Sequence, residues 1–395
     1  MTPRPATAPD QAPITAPIDA AIDLAVAQQR LVGAVVLVQH RGRELYRRSA
    51  GWADREQRRP MRTDTVFRLA SVSKPIVTTA AMVLASRGVV DLDVPVIRWL
   101  PDFQPRLPDG GVPDISLRQL LSHQAGLGYR FLEAEADGPY ARAGVSDGMD
   151  ASGITLAENL RRIASVPLQF VPGEAWAYSL GIDVAGGVLE AATGKTLGDI
   201  VRETVTEPLG MADTAFHVRD AERLATHYVA GATAPHRLAE GEVVAPFPGV
   251  VGIPYSPARA LDGEAFPSGG AGMVGTADDV MRLLDVLRRG GGSILDRAWT
   301  AQMAHVQTGP QDLDEQPGWG FGLGFAVLRD PLAADTPQRA GSWRWGGVYG
   351  HSWFVDPASE LSVVALTNTL HDGLPAGFLA DELRDPIYAM LEAKS

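Results

Sequence analysis

Hydrophobic residues recur along this chain with two distinct spacings. Over residues 18–30 they fall three and four apart, which predicts a helix with one buried face. Residues 32–39 form a nearly continuous apolar run rich in valine. Arg41-Gly42 then turns the chain into a second extended run at 45–52, and the pair predicts a hairpin. A helix follows from about Ser71 to Gly88, a residue suited to a helix C-terminus.

The middle third changes character. Helical spacing returns at 117–123, 156–164, 178–193 and 197–207, punctuated by Gly126, Gly194 and Gly210. Residues 228–272 are dense in proline and glycine and read as a long ordered loop. Thr276 with Asp279 predicts a capping box that opens a helix running to Arg289. Extended runs at 321–328, 342–349, 351–355 and 361–367 are spaced as a meander, and a last helix spans 376–392. Strands thus occupy both ends and helices the middle. The expectation is an α+β fold, with one antiparallel sheet built from both chain ends and flanked by helices. Its parts are an arm at 1–17, a discontinuous sheet domain at 18–88 and 226–395, and an inserted, mainly helical domain at 89–225.

Composition narrows the function. The chain has 395 residues, 45% hydrophobic and 21% charged, ordinary values for a soluble globular protein. No apolar run reaches the roughly 18 residues a membrane-spanning helix needs, so no membrane partner is expected. The first 17 residues carry no basic stretch followed by an apolar one; the expectation is no secretory signal and a cytoplasmic protein. A net charge of −12 repels phosphate backbones, which argues against a nucleic-acid partner. The absence of cysteine excludes disulfides and thiol catalysis. The eight histidines show no metal-binding spacing, so neither a metal nor another cofactor is expected. Only Lys74, Lys195 and Lys394 are lysines among 35 basic residues. Where arginine is the habitual cation, a lysine offers what arginine cannot: release of its proton when desolvated.

That points to Arg68-Leu69-Ala70-Ser71-Val72-Ser73-Lys74-Pro75. An apolar lead-in meets a helix start, and Pro75 fits the first turn, where its missing N–H is no loss. Ser71 would lie at a helix N-terminus, which favours negative charge, with Lys74 one turn on and on the same face. A serine hydroxyl needs a base to become a nucleophile, and a desolvated lysine is one. The same residues also allow a simpler arrangement, a capping serine beside a solvated lysine. Tyr178, delivered by a Pro172-Gly173 turn, is a second candidate, since a nearby ammonium favours a phenolate; it also reads as a core aromatic. Gly346-Gly347, inside an extended run after Trp345, suits close approach of a substrate to a strand, or equally a bulge.

In this order and at these intervals, the three segments resemble the β-lactamase and penicillin-binding-protein superfamily, whose pattern is S-x-x-K, then Y-x-N, then K-T-G. More closely, the chain resembles the family VIII carboxylesterases of the EstB type, which share the class C β-lactamase fold. Leu120-Leu121-Ser122-His123-Gln124-Ala125-Gly126-Leu127, Pro208-Leu209-Gly210-Met211 and Pro267-Ser268-Gly269-Gly270-Ala271-Gly272-Met273 extend the likeness over nearly the whole chain. The resemblance implies a β-lactamase/transpeptidase-like fold and a small-molecule ester as substrate. It implies Ser71 as nucleophile, with Lys74 and Tyr178 sharing the general-base work. It also implies an oxyanion hole from the N–H groups of Ser71 and Val348, and an acyl pocket at Trp345.

Two departures bear on substrate. Leu180 stands for the asparagine of Y-x-N, and Trp345-Gly346-Gly347 for K-T-G. Losing a polar amide and a carboxylate-binding lysine makes the site more apolar, which suits neutral esters better than β-lactams. A β-lactamase, a D-amino-acid peptidase or an amidase is the alternative, and a catalytically silent binding protein a remoter one. Gly144-Val145-Ser146-Asp147-Gly148 matches a nucleophile elbow but lacks the strand before it and the helix after it. Gly194-Lys195-Thr196 reads as a surface turn. His123 reads as a structural hydrogen-bonding residue.

Overall fold

The apolar run after residue 32 becomes a strand buried on both faces, which is why it does not alternate with polar residues. A computed structural model describes residues 15–231, 233–310, 312–313, 316–370 and 378–393; most of the arm at 1–17 lies outside them. The helices are α1 (Ala16–Ala27), α2 (Ser73–Ser86), α3 (Leu117–Leu121), α4 (Pro139–Arg142), α5 (Leu156–Ala164), α6 (Gly181–Thr193), α7 (Leu197–Val201), α8 (Ala277–Arg288), α9 (Arg297–Met303) and α10 (Phe378–Glu392). The strands begin with β1 (Gly33–His40), β2 (Arg43–Asp54), β3 (Arg59–Pro60) and β4 (Phe67–Arg68). Short strands β5 (Tyr228–Val229), β6 (His236–Arg237), β7 (Val243–Val244), β8 (Ile253–Pro254) and β9 (Val274–Gly275) follow, then β10 (Trp319–Phe321), β11 (Ala326–Leu328), β12 (Trp343–Gly347), β13 (His351–Asp356), β14 (Leu361–Thr367) and β15 (Thr369–Leu370).

The main sheet has eight strands in the order β10-β11-β12-β13-β14-β1-β2-β3, all antiparallel. The two chain ends meet at its centre, where β1 pairs with β14 from Ala34↔Thr367 to His40↔Leu361. Alternate side chains go to opposite faces. Ala34, Val36 and Val38 join Ile18 and Ile22 of α1 and Leu383 and Ile387 of α10. Val35 and Leu37 join the larger core containing α2, α6 and α8. The sheet is therefore sandwiched between helices, and residues 89–225 contribute no strand to it.

Several elements differ from expectation for identifiable reasons. The run at 321–328 is a hairpin, because Gly322-Leu323-Gly324 turns the chain back with Gly324 at φ +85°. Residues 228–272 carry β5–β8 within their loops. The 197–207 helix widens to a π turn over Arg202–Thr206. Thr276 caps α8, but its box stays open: the Asp279 carboxylate accepts Asp213 N–H and Thr214 O–H, both at 3.0 Å, and so ties α8 to the 211–215 segment instead. Helix α6 starts at Gly181 rather than at Tyr178, which leaves Tyr178 in irregular lead-in chain.

Candidate active site

Ser71 sits where an extended segment turns into a helix. Short strand β4 pairs with β9, and the next N–H, of Leu69, donates to Met273 O at 2.8 Å. His351 Nε2 donates to Arg68 O at 2.7 Å. These bonds hold Ala70 at φ +44°, a left-handed conformation that costs an L-residue roughly 1–2 kcal/mol. Ala70–Val72 make one 3₁₀ turn and α2 starts at Ser73. Strand β12 runs directly behind: a Cβ on Gly347 would stand 2.6 Å from Leu69 O. Glycine there admits the protein's own backbone, which is a different reason from the substrate approach expected of it.

Lys74 follows one turn into α2 and is wholly buried. Its Nζ donates to Ser71 Oγ at 3.1 Å and to Gly270 O at 2.8 Å. It also lies 4.6 Å from the Tyr178 ring centroid and 5.5 Å from that of Tyr129. Tyr178 O–H donates to Ser71 Oγ at 2.6 Å. Ser71, Lys74 and Tyr178, far apart in the chain, therefore meet around one oxygen. Ser71, Tyr178, Trp345 and Val348 are partly exposed, so the cluster opens to solvent on their side.

An aromatic wall surrounds it. Trp345 lies 5.4 Å from the Tyr178 ring and 5.1 Å from Phe321, and Trp176 lies 5.6 Å from Phe321. Leu180 is fully buried at the start of α6, its N–H bonded to Gly128 O at 3.1 Å. Gly346 is buried and pairs with Ser352 across β12–β13.

His123 packs edge-on against Tyr178 at 4.9 Å. Its Nδ1 accepts Ser179 N–H at 3.3 Å and lies 3.0 Å from Ser179 Oγ, so the imidazole positions the Tyr178 segment. Burial, with the Lys74 charge adding, pushes its pKa well below that of a free histidine. It is neutral and structural.

Sequence reasoning missed several participants, Trp176 of the aromatic wall among them. Tyr129 lies tilted against Tyr178, with ring centroids 5.1 Å apart. Phe321 completes the aromatic wall. Gly270 supplies the carbonyl that accepts from Lys74. Asp183, buried in the first turn of α6, accepts Ser268 O–H at 2.6 Å, and its other oxygen faces Gly270, where a Cβ would come within 2.5 Å. Burial raises the Asp183 pKa, opposed by the Ser268 hydroxyl and the Lys74 charge. Gly128, next after the Leu120–Leu127 segment, and Gly269-Gly270, within Pro267–Met273, were the available signal.

The other motifs stand apart. Ser146 is buried, its Oγ bonded to Asp150 and accepting Gly148 N–H at 3.1 Å, with no histidine partner and with helix α4 rather than a strand before it. Lys195 is half exposed and pairs with Glu203. A cavity of about 500 Å³, lined by Trp99, Arg118 and Trp299 among others, lies at the far end of α2 and shares no residue with the Ser71 cluster. Among the described residues, no helix is long and apolar enough to cross a membrane, and no cluster of three or more potential metal ligands occurs.

An S-x-x-K helix start that faces a tyrosine, set against a strand of an antiparallel sheet, defines a class: serine hydrolases of the β-lactamase and penicillin-binding-protein fold. The chain matches the Beta-lactamase family over residues 18–385 and belongs to it. Esterase EstB of Burkholderia gladioli is 50% identical over 366 residues, 92% of this chain and 93% of its own. The solved structure of EstCE1, a hydrolase with promiscuous acyltransferase activity, superposes with a TM-score of 0.92 at 46% identity, covering 95% of this chain and 98% of that one. Monacolin J acid methylbutanoyltransferase of Aspergillus terreus is 28% identical over 86% of this chain and 87% of its own.

Proposed function

We propose that the protein is a carboxylesterase that hydrolyses short-chain esters, ester side groups of cephalosporins among them, through an acyl-Ser71 intermediate. One observation carries the reading: Ser71 Oγ stands within hydrogen-bond reach of both Lys74 Nζ and Tyr178 O–H, in a pocket walled by aromatics. Lys74 and Tyr178 share the proton of Ser71 as its oxygen attacks the ester carbonyl. The N–H groups of Ser71 and Val348 hold the carbonyl oxygen as it gains charge. The alcohol leaves with the proton, and a water deprotonated by the same pair releases the acid. Trp345, partly exposed beside Tyr178, forms an apolar wall for the acyl chain. Leu180 and Gly346, expected in the substrate pocket, are buried in the protein and Gly347 faces the Leu69 backbone, so none of the three meets the substrate directly.

Support for esters over β-lactams comes from the residues themselves. Leu180 and Trp345 offer neither the amide nor the cation that a charged amide substrate would engage. The test is to compare turnover of p-nitrophenyl butyrate, nitrocefin and a D-Ala-D-Ala peptide under one set of conditions. The ester should be preferred by kcat/KM. Preference for either of the others would transfer the protein to the β-lactamase or peptidase side of the fold, and failure of a fluorophosphonate to label it would favour a silent binding protein.

A further inference from the structure

The Gly144–Gly148 motif is not a nucleophile elbow, yet its residues are built into the wall of the site. The Asp147 carboxylate is buried and accepts two backbone N–H groups, Arg130 at 3.0 Å and Phe131 at 2.9 Å. Those groups open the single 3₁₀ turn Arg130–Leu132 that directly follows Tyr129. Phe131 in turn packs 4.7 Å from the Tyr129 ring, which lies against Tyr178 and Lys74. The loop is itself anchored from behind. Ser146 N–H donates to Asn159 Oδ1, and Asn159 Nδ2 donates to Ser146 O, both at 2.9 Å. Gly148, at φ +83°, presses on Ser268, where a Cβ would come within 2.0 Å of Oγ. Ser268 is the donor to Asp183.

We propose that Asp147 is a positioning residue for the ester-hydrolysing site, acting through the two N–H groups it holds to fix Tyr129 against Tyr178 and Lys74. The proposal rests on the acyl-Ser71 reading. It works best in the carboxylate form, which offers a strong acceptor oxygen to each N–H; protonation turns one oxygen into a hydroxyl, a weaker acceptor whose O–H must itself find a partner. The groups facing Asp147 are the Asp150 carboxylate, which repels it, the Arg130 side chain, which attracts it, and the phenols of Tyr129 and Tyr140. Burial pushes its carboxyl up to about 7, with the two N–H groups holding it back. The sign follows: the clamp is closed above that range and loosens as pH falls through it.

The experiment is kcat and KM for p-nitrophenyl butyrate from about pH 5.5 to 8.5, in wild type, Asp147→Asn, Tyr129→Ala and the double variant. An asparagine amide presents a donor to one N–H, so Asp147→Asn should lower kcat roughly tenfold at pH 8, with a smaller change in KM. Wild type should show an acid limb in kcat near pH 7, and Asp147→Asn should lack it; a wild-type profile flat through that range would also overturn the proposal. The double variant should be no slower than Tyr129→Ala alone, since coupled sites do not add. A wild-type kcat and an unchanged acid limb in Asp147→Asn, or additive losses in the double variant, would overturn the proposal. Should Asp147→Asn fail to fold, Tyr129→Ala decides: loss of the limb supports the clamp and its persistence refutes it. A wild type inactive on the ester contradicts the esterase reading, whereas an active wild type with an unaffected Asp147→Asn contradicts only the clamp.

Discussion

Lys74 is buried completely, and among the described residues no carboxylate lies within ion-pair distance of its Nζ. Its partners are a hydroxyl, a backbone carbonyl and two aromatic faces. A general base must give and take a proton, which an amine can do and a guanidinium, which stays charged, cannot. Lys74→Arg is therefore expected to lower kcat by roughly 10²–10⁴-fold, the range for losing a general base. Steady-state turnover of the ester checks it, and a variant within tenfold of wild type would remove Lys74 from the base. The lysine was legible in the sequence because lysine is scarce here and stands three residues after a serine at a helix start. Gly270 was visible only as part of the Pro267–Met273 segment; its role was not, because a backbone acceptor does not depend on residue type. Tyr129 and Asp183 were not, because no spacing links residue 129 or 183 to residue 74 until the chain is folded.

At the scale of elements, the site depends on how closely β12 approaches the Ser71 turn. Gly347 makes that approach possible, and its would-be Cβ meets a backbone oxygen that cannot rotate away. Gly347→Ala should push the strand off the turn, lowering kcat roughly 10²-fold, as displacement of a catalytic group by about 1 Å does. It should also cost about 1–3 kcal/mol of stability through overpacking. Ester kinetics together with denaturant unfolding separate the two effects. Most helices and the sheet strands were legible from spacing and from glycine and proline punctuation. The hairpin within 321–328 was not: its turn, Gly322-Leu323-Gly324, sits inside an apolar run and resembles continuous strand. The irregular lead-in at Tyr178 was also hidden, since helical spacing says nothing about the residues just before a helix starts.

Across the whole molecule, the main sheet separates two cores. One, with α2, α6 and α8, carries the Ser71–Lys74–Tyr178 cluster; the other lies under α1 and α10 on the opposite face. Leu383 of α10 is fully buried in the second. Leu383→Ala should destabilise the protein by about 2–5 kcal/mol through loss of packing and the cavity left behind. Below the unfolding temperature its kcat should stay at the wild-type value, because the eight-stranded sheet lies between the two cores. Thermal unfolding beside ester kinetics tests this, and a matching fall in kcat would show the cores to be coupled. The union of both chain ends in one sheet could be anticipated because strands cluster at the ends of the sequence. The β1–β14 register could not, since it rests on side-chain packing against helices that are distant in sequence.

The central claim is that Ser71 is the acylated oxygen. Intact mass after brief exposure to a slowly deacylating ester tests it most directly, on wild type, Ser71→Ala and Ser146→Ala. Wild type and Ser146→Ala should each gain the mass of one acyl group, and Ser71→Ala should gain none. An adduct kept by Ser71→Ala and lost by Ser146→Ala would contradict the account.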